Sequence, residues 1–316
     1  MHPIPEQDNP SYTGSWLICT ACGTQFPTDD KQQVKTCFIC DDPRQFTPPT
    51  GQSFTTLDEL CSNHKNTWTP FSGDDDFISI VTKPKVGIGQ RAILIKTPKG
   101  NVLWDCITLL DDETVENIKG MGGLKAIVIS HPHYYSTHAD WGRAFNCPVY
   151  LAAEDKQWTT QTSPQQVFVT ETEMDINIDG EASGVKVLKL GGHFPGSFVT
   201  LYNGRLLIAD TLLTTPAGLG SWDADALGNA RSRPKGMNSF SFMWSIPNFI
   251  PLAPDELERM WAIIKKYEFR STHGAFLKTD IVKTEAEMKQ RVLDSMQIQI
   301  KYMGYGNHSM LKETAD

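Results

Sequence analysis

The chain has 316 residues, of which 40% are hydrophobic and 21% are charged, and its formal net charge is −8 at pH 7. This is the composition of an ordinary globular protein, with enough residues for one large domain or two. The acidic balance argues against a broad basic surface for nucleic acid or an anionic membrane. No apolar run reaches the roughly 20 residues of a membrane-spanning helix, and we expect no partner of either kind.

The start of the chain and its cysteines predict a reducing compartment. Residues 1–6 lack the basic start and the apolar stretch of a secretory signal. The seven cysteines are an odd number, and four of them form two C-x-x-C pairs rather than an even disulfide framework. We therefore expect a cytoplasmic protein, and the sequence leaves its oligomeric state open.

Two cysteine pairs near the N-terminus predict a closed metal site. Cys19 and Cys22 are separated by fourteen residues from Cys37 and Cys40, which is typical of a zinc ribbon or a rubredoxin-like knuckle. Four thiolates leave no open position, so we expect a structural ion, with Zn²⁺ favoured and iron fitting the same ligands. Because the first 70 residues are polar, we predict a metal-stapled extension over residues 1–70 and a larger domain over residues 71–316.

After a short predicted helix at residues 57–64, the chain alternates between strand and helix patterns. Strands are predicted at 77–81, 91–96, 102–105, 126–129, 149–151, 185–190, 198–202 and 206–209. A helix begins at residue 111 and ends at the glycines 122–123, and two amphipathic helices follow at 254–267 and 284–302. Hairpins mixed with strand–helix–strand units predict a layered α+β fold.

Histidines and one carboxylate follow several of these strands. We identify them as candidate metal ligands because sites gather at strand ends on such scaffolds. Three neutral imidazoles with an open position are typical of a catalytic zinc site. The candidates are His131 and His133 after one strand, His193 in a Gly-Gly-His-Phe-Pro-Gly-Ser segment, Asp210, and His273 beside a glycine.

The order H-x-H, G-H-x-P-G-S, strand-end Asp and late His resembles the metallo-β-lactamase fold superfamily, from about Phe77 to the C-terminus. Asp105 also fits, because that superfamily keeps an Asp behind its metal site. The resemblance implies a four-layer αβ/βα sandwich of two mixed sheets with the site at one rim. It implies hydrolysis of esters, thioesters, lactones, β-lactams or phosphodiesters. An uncharacterised subgroup with an H-P-H-Y-Y variant is similar in the cysteine pairs and in residues 40–45 and 88–92.

One departure from the superfamily motif H-x-H-x-D-H bears on the metal count. Tyr135 stands at the Asp position and Ser136 at the last His position, and these two positions hold a second metal in the superfamily. The resemblance therefore implies one metal, held by His131, His133 and His193 with Asp210 as a ligand or close partner. The general base is left open between Asp210, His138 and Tyr135. A further hypothesis is that His138 and His273 rebuild part of a second site or act on the leaving group.

The leading hypothesis is a metallohydrolase. Zinc-activated water would attack an ester, thioester or lactone of a small organic substrate. An aromatic segment between Asp210 and His273, which includes Trp244 and Phe249, would line the substrate, or would only fill the interior or form a dimer contact. The alternative is a non-catalytic metal-binding or partner-binding protein with a degenerate site. A nucleic-acid processing enzyme is a third reading, against which the acidic charge weighs.

Overall fold

The structure of the protein is a computed structural model that describes residues 12–315. The prediction about residues 1–6 therefore concerns a segment outside the described residues. The strands are β1 (Leu17–Cys19), β2 (Phe54–Thr56), β3 (Lys65–Phe71), β4 (Asp74–Lys83), β5 (Arg91–Thr97), β6 (Gly100–Trp104), β7 (Ala126–Val128), β8 (Val149–Ala152), β9 (Gln166–Val169), β10 (Glu173–Ile178), β11 (Glu181–Lys189), β12 (Phe198–Tyr202), β13 (Arg205–Leu207), β14 (Leu213–Thr214), β15 (Phe240–Ser241), β16 (Met243–Ser245), β17 (Ile250–Pro251), β18 (Ser271–His273) and β19 (Ile281–Val282).

Six α-helices and three short 3₁₀ turns lie between these strands in the described part of the chain. The helices are α1 (Leu57–Asn63), α2 (Asp112–Gly120), α3 (His138–Phe145), α4 (Pro216–Leu219), α5 (Pro254–Ile264) and α6 (Glu285–Tyr302). The 3₁₀ turns are Pro132–Tyr134, Ala153–Trp158 and Ser309–Lys312. Each strand and helix predicted beyond Phe77 is confirmed, with ends that differ by a few residues.

Side-chain caps explain where two of the helices begin. The Asp111 carboxylate accepts a hydrogen bond from the Thr114 amide at the start of α2, and the Thr284 hydroxyl accepts one from the Glu287 amide at the start of α6. Such caps satisfy amide groups that have no partner within the helix. None of the helices in residues 12–315 is both long and apolar enough to cross a bilayer.

Two mixed sheets form the body of the molecule. One has seven strands in the order β3-β4-β5-β6-β7-β8-β9, antiparallel as far as β6 and parallel from β6 to β9. The other has six strands in the order β10-β11-β12-β13-β18-β19, in which β13 and β18 are the parallel pair. The two sheets place the carboxyl ends of β6, β7 and β13 where the candidate ligands follow.

The hydrophobic clusters show that the sheets face each other and that helices cover their outer faces. Phe77 and Val102 of the first sheet share one buried cluster with Val187 and Leu207 of the second. Successive residues of a strand point to opposite faces. The other face of the first sheet packs on α2 and α3, and the other face of the second packs on α5 and α6. This is the four-layer αβ/βα sandwich, and the predicted fold class is confirmed.

The cysteine-containing segment packs against this sandwich. Its strands β1 and β2 form a separate two-stranded sheet. The strand that follows, β3, already belongs to the seven-stranded sheet although it begins at Lys65. The division of the chain into residues 1–70 and 71–316 stays a prediction.

Candidate metal centre

Four of the predicted ligands converge on one point. The Oδ2 atom of Asp210 lies 3.3 Å from Nε2 of His131, 3.5 Å from Nδ1 of His133 and 3.7 Å from Nε2 of His193. Nε2 of His193 is 3.3 Å from Nδ1 of His133. One donor atom from each of the four residues lies within 4.8 Å of all the others, which is the arrangement needed to hold a metal ion. We call these four residues the histidine cluster.

Strand ends from both sheets bring the cluster together. His131 follows β7 of the first sheet, whereas His193 follows β11 and Asp210 follows β13 of the second. The sheets are joined directly beside the cluster, where the Phe198 amide donates to the Ser130 carbonyl at 2.8 Å. Residues distant in sequence therefore meet because the fold brings two sheet edges together.

The glycines of the 191–197 segment are needed because the backbone passes very close to its neighbours. A Cβ atom on Gly196 would lie 2.1 Å from the Cβ of Ala152, and one on Gly192 would lie 2.5 Å from Oγ1 of Thr211. The same Thr211 hydroxyl donates to the Gly191 carbonyl and accepts from the His193 amide. The residue after Asp210 thus holds the segment that presents His193.

Hydrogen bonds at the outer ring nitrogens fix the orientation of two histidines. Nδ1 of His131 is 2.9 Å from the Ser130 hydroxyl, and Nδ1–H of His193 donates to the Met243 carbonyl at 3.1 Å. The Ser130 amide in turn donates to the buried Asp105 carboxylate at 2.7 Å. Such outer partners select the tautomer whose lone pair faces the metal. Asp105 is therefore linked to the cluster through Ser130.

Burial favours the neutral form of two of the cluster histidines. Burial lowers the pKa of His133 to about 4 and that of His193 to about 3. Burial also opposes ionisation of Asp210, but the adjacent rings of His131, His133 and His193 outweigh it and hold the pKa of this carboxyl well below the ordinary value. Neutral imidazoles beside an ionised carboxylate are competent ligands.

The donor set fits a divalent cation. Nε2 of His131 and Oδ1 of Asp210 are buried and have no hydrogen-bond partner. Buried polar atoms normally have partners, so such atoms indicate a missing ligand. Three imidazole nitrogens and one carboxylate oxygen are a donor set that zinc accepts and that hard cations such as Mg²⁺ do not prefer.

His273, predicted as a further ligand, is not brought into the cluster. Its ring stacks on Phe71 with centroids 4.4 Å apart, and its Nδ1 lies 3.4 Å from the Asp280 carboxylate. Its Nε2 is 2.9 Å from the Ser271 hydroxyl. Asp280 also pairs with the buried Arg91, so His273 belongs to a polar network separate from the four convergent ligands.

His138 and Tyr135, the other predicted acid–base candidates, have buried hydrogen-bond partners of their own. Nδ1–H of His138 donates to the Tyr135 carbonyl at 2.7 Å, and its Nε2 accepts from the Gln166 amide at 2.7 Å. The Tyr135 hydroxyl donates to the Asp155 carbonyl at 3.5 Å. Of the two adjacent tyrosines it is Tyr134 whose ring lies near His131, at 5.3 Å between centroids.

The cysteine pairs also form a compact group. Sγ of Cys19 is 3.6 Å from Sγ of Cys40, and Sγ of Cys22 is 3.7 Å from Sγ of Cys37. All four side chains are buried, and their sulfur atoms lie within 4.8 Å of one another. We call this group the cysteine cluster. Its geometry fits the predicted closed metal site.

The cysteine cluster is attached at the position where the superfamily motif has its last histidine. The Ser136 hydroxyl donates to the Gly23 carbonyl at 3.2 Å, and the Ser136 carbonyl accepts from the Gln25 amide. The Gln90 amide donates both to the Cys22 carbonyl at 2.7 Å and to the His133 carbonyl at 3.2 Å. The replaced residue thus anchors the N-terminal segment next to the histidine cluster.

The aromatic segment after Asp210 has a part buried in the core and a part that forms a hairpin. Phe240 and Phe242 are fully buried in the core beneath α5 and α6. Trp244 and Met243 lie on the hairpin β16–β17 beside His193, and Phe249 at its tip is 83% exposed. The hairpin is the part of this segment that contacts the histidine cluster, through the Met243 carbonyl and the His193 ring.

Arg44, Ser130 and Gln90 contact the cluster, yet sequence reasoning assigned them no role. Arg44 and Gln90 do lie in the two segments, 40–45 and 88–92, that resemble the H-P-H-Y-Y subgroup. Those motifs indicated that the two segments matter, but a short motif does not predict which backbone carbonyl a side chain will bind.

Comparison with known proteins finds one extensive sequence relative and a set of similar folds. The chain is 35% identical over 272 residues to the uncharacterized protein YmaE of Bacillus subtilis, a match that covers 86% of this chain and 92% of YmaE. It is 24% identical over 153 residues to the probable metallo-hydrolase MJ0888 of Methanocaldococcus jannaschii, covering 43% of this chain and 68% of that protein. No protein-family model matches the chain.

Two solved structures illustrate the similar folds. The metallo-β-lactamase DIM-1 covers 75% of this chain and 98% of its own, at 12% identity and a TM-score of 0.47. The metallo-β-lactamase FIM-1 from Pseudomonas aeruginosa, in its mono-zinc form, covers 75% and 96%, at 12% identity and a TM-score of 0.48.

Proposed function

We propose that this chain, which belongs to the protein family of YmaE from Bacillus subtilis and has the metallo-β-lactamase fold, is a metal-dependent hydrolase. The observation that carries the proposal is the convergence of three buried imidazoles and one carboxylate on a single point. The similarity of 43% of the chain to a probable metallo-hydrolase adds support.

In this proposal His131, His133, His193 and Asp210 hold one Zn²⁺. A bound zinc ion supplies Lewis acidity and lowers the pKa of water, so that a nucleophile is available near pH 7. Oδ2 of Asp210 faces the histidines, whereas Oδ1 has no partner. We assign Oδ1 the acceptance of the proton from the attacking water. The cysteine cluster holds a second, structural Zn²⁺.

The proposed substrate is a small organic ester, thioester or lactone with an apolar part. The rings of Phe194, Trp158 and the hairpin Trp244 lie around the Arg44 guanidinium beside His193, and Phe194 and Trp158 pack edge-on with centroids 5.5 Å apart. The indole N–H of Trp158 is buried without a hydrogen-bond partner. An unpaired donor beside apolar rings suits a carbonyl compound better than a bare phosphate.

The proposed compartment is the cytoplasm, and the proposed extension over residues 1–70 is held by its metal. All seven cysteines are free thiols, and Cys61 is exposed. Free thiols persist under reducing conditions. We infer that the cysteine cluster supplies the stabilisation that the small N-terminal sheet cannot provide.

The test is a hydrolysis screen combined with a metal count. Purified protein loaded with Zn²⁺ would be assayed on aryl esters, aryl thioesters and lactones, beside a His131→Ala, His133→Ala double variant. The proposal expects two bound metal equivalents in the wild type, one in the double variant, and turnover reduced at least ~10³-fold. The matched control is His64→Ala, which removes a partly exposed histidine outside every group of possible metal ligands in the described residues.

Activity that persists in the double variant would contradict the proposal, as would a wild type that binds metal only at its cysteines. One observation favours the alternative of a non-catalytic metal-binding protein, because the four ligand side chains are at most 5% exposed. Two metal equivalents without turnover of any substrate class would support that alternative.

A further inference from the structure

The segment that leaves the cysteine cluster, Cys40 to Arg44, leads directly to the histidine cluster. Nη1 of Arg44 donates to the His193 carbonyl at 3.2 Å, and its guanidinium lies over the Phe194 ring, 3.9 Å from the centroid. Asp42 holds the same guanidinium by two hydrogen bonds, of 2.7 Å from Nε and 2.8 Å from Nη2. Both side chains are only 11% exposed, so this pair lies largely away from solvent.

The same segment is fixed from its other side. The Pro43 carbonyl accepts hydrogen bonds from the Ser245 hydroxyl at 2.5 Å and from the Asn248 amide at 2.8 Å. These residues belong to or adjoin the hairpin β16–β17, whose Met243 carbonyl binds the His193 ring. The backbone of His193 is therefore held by Arg44 and its ring by a hairpin that Pro43 secures.

Aromatic contacts follow the same path. Phe38, which lies between two of the cysteines, stacks on Trp158 with centroids 6.2 Å apart. Trp158 packs edge-on against Phe194, and Phe194 lies 5.0 to 5.8 Å from the rings of all three cluster histidines. A change in the cysteine cluster thus has a continuous packed route to the metal ligands.

We propose that Arg44 is a positioning residue for the histidine cluster, and that the cysteine cluster acts on the hydrolytic centre by placing Arg44. The proposal deepens the proposed function and rests on it, because it takes His193 as a metal ligand. A guanidinium suits this role, because its fixed fork binds Asp42 with two nitrogens and leaves the third for the His193 carbonyl. Lysine keeps the charge but has no fork.

The experiment compares the wild type with Arg44→Met, Arg44→Lys and Asp42→Asn, using Co²⁺ alone as the probe. Thiolate-to-cobalt charge-transfer absorption reports the cysteine cluster, and the weaker visible bands of nitrogen- and oxygen-bound cobalt report the histidine cluster. Affinity at each cluster is measured by competition with a chelator. The matched control is Arg143→Met, because Arg143 is 16% exposed and pairs with a nearby aspartate, Asp140, away from the histidines.

The expected result is a selective loss at the histidine cluster. Arg44→Met should weaken Co²⁺ binding there about 10- to 100-fold and shift its visible bands, as changes in residues that orient metal ligands do. The thiolate bands and the control should match the wild type. Arg44→Lys should recover part of the affinity, and Asp42→Asn should weaken it less than Arg44→Met. If Arg44→Met does not fold, the other two variants carry the test.

Wild-type affinity and spectrum in the Arg44 variants would overturn the inference, whatever their thermal stability, because a merely structural arginine would change only the latter. This failure is distinct from failure of the proposed function. If the proposed function fails, the wild type itself would bind one equivalent of Co²⁺ and show thiolate bands alone.

Discussion

The two clusters differ in where their donors come from. Those of the cysteine cluster lie within one short segment, Cys19 to Cys40, whereas those of the histidine cluster come from three segments that span residues 131 to 210. The first is complete once a local loop closes. The second exists only after both sheets have formed. The cysteine cluster can thus organise its own short segment, whereas the histidine cluster forms only when the whole fold is in place.

The clusters also differ in what their atoms lack. Sharing of protons with neighbouring thiols raises the pKa of Cys37 and of Cys40 and lowers that of Cys19, so the four cannot all ionise unless a cation compensates them. In the histidine cluster, burial lowers the pKa of His133 and of His193, and Asp210 lies beside all three rings, yet buried atoms without hydrogen-bond partners remain. The comparison predicts that removal of the metal from the cysteine cluster mainly lowers folding stability. Its removal from the histidine cluster should mainly lower catalytic activity.

The largest effect is expected when the cysteine cluster is broken. Cys37→Ser combined with Cys40→Ser should abolish its metal, reduce the unfolding free energy by several kcal/mol, and remove activity, because structural zinc sites contribute ~10 kcal/mol to small domains. Metal analysis and chemical denaturation measure this. Cys147→Ser is the control, since Cys147 is a buried thiol outside both clusters. A stable, active double variant would show that the segment folds without its metal.

The next largest effect, on activity, is expected at the histidine cluster. Asp210→Asn keeps the size of the side chain but removes its charge, and should reduce kcat/KM by ~10²- to 10³-fold, about 3 to 4 kcal/mol, while the fold is kept. Asp140→Asn is the comparison, because Asp140 is buried among the partners of the N-terminal segment. It should lower stability and leave kcat unchanged. The reverse pattern in the two variants would refute the division of roles.

A more gradual effect, spread over several pH units, is expected from acid. Burial lowers the pKa of His133 and that of His138 to about 4, below the ordinary value of about 6.5. The unfolded chain therefore binds more protons between these values, so the unfolding free energy of metal-free protein should fall as pH falls from 6.5 to 4, by at most ~1.4 kcal/mol per unit for each histidine.

Denaturation at pH 4 to 7, with and without Zn²⁺, measures this dependence. Zn²⁺ should add stability that acid then removes, through competition of protons for His133. The variant His138→Gln should lose its share of the slope whether or not the metal is present. A profile that stays flat over this interval would contradict the burial of neutral histidines.

The smallest effect concerns the replaced motif position. Ser136 is 2% exposed, has a φ of +42°, and bonds to Gly23 and Thr108. Ser136→His should destabilise the fold by ~2 kcal/mol, because the larger ring must displace the attached segment, and should recruit no further metal. Metal counting checks this, with Ser136→Ala as the small control. A third equivalent of metal bound by Ser136→His would show that one substitution restores the second metal position of the superfamily motif.

Much of the fold could be predicted, because the strands of the core are short apolar runs with clear boundaries. The elements that were missed lacked such a pattern. The edge strand β3 is mostly polar and contains Pro70, and α3 begins at His138 without a side-chain cap. Their structure is determined by packing against neighbours, and local sequence carries little information about it.

The histidine cluster was predictable to the extent that its ligands follow strands. His131, His133, His193 and Asp210 converge on one point. His273 occupies a similar strand end, yet its direction depends on Asp280 and Phe71, which no spacing rule identifies. Arg44 was unpredictable for the same reason, because its target is a backbone carbonyl 149 residues further along the chain.

The two hydrogen bonds donated by the Gln90 side-chain amide have a consequence for motion. One side chain donates to the backbone of both clusters, at Cys22 and at His133. Amide groups around Gly23 and Tyr134 should therefore exchange with deuterated solvent in a single concerted opening, with the same protection, rather than as two independent events. In the variant Gln90→Ala the two groups of amides should exchange at different rates, with those around Gly23 exchanging first.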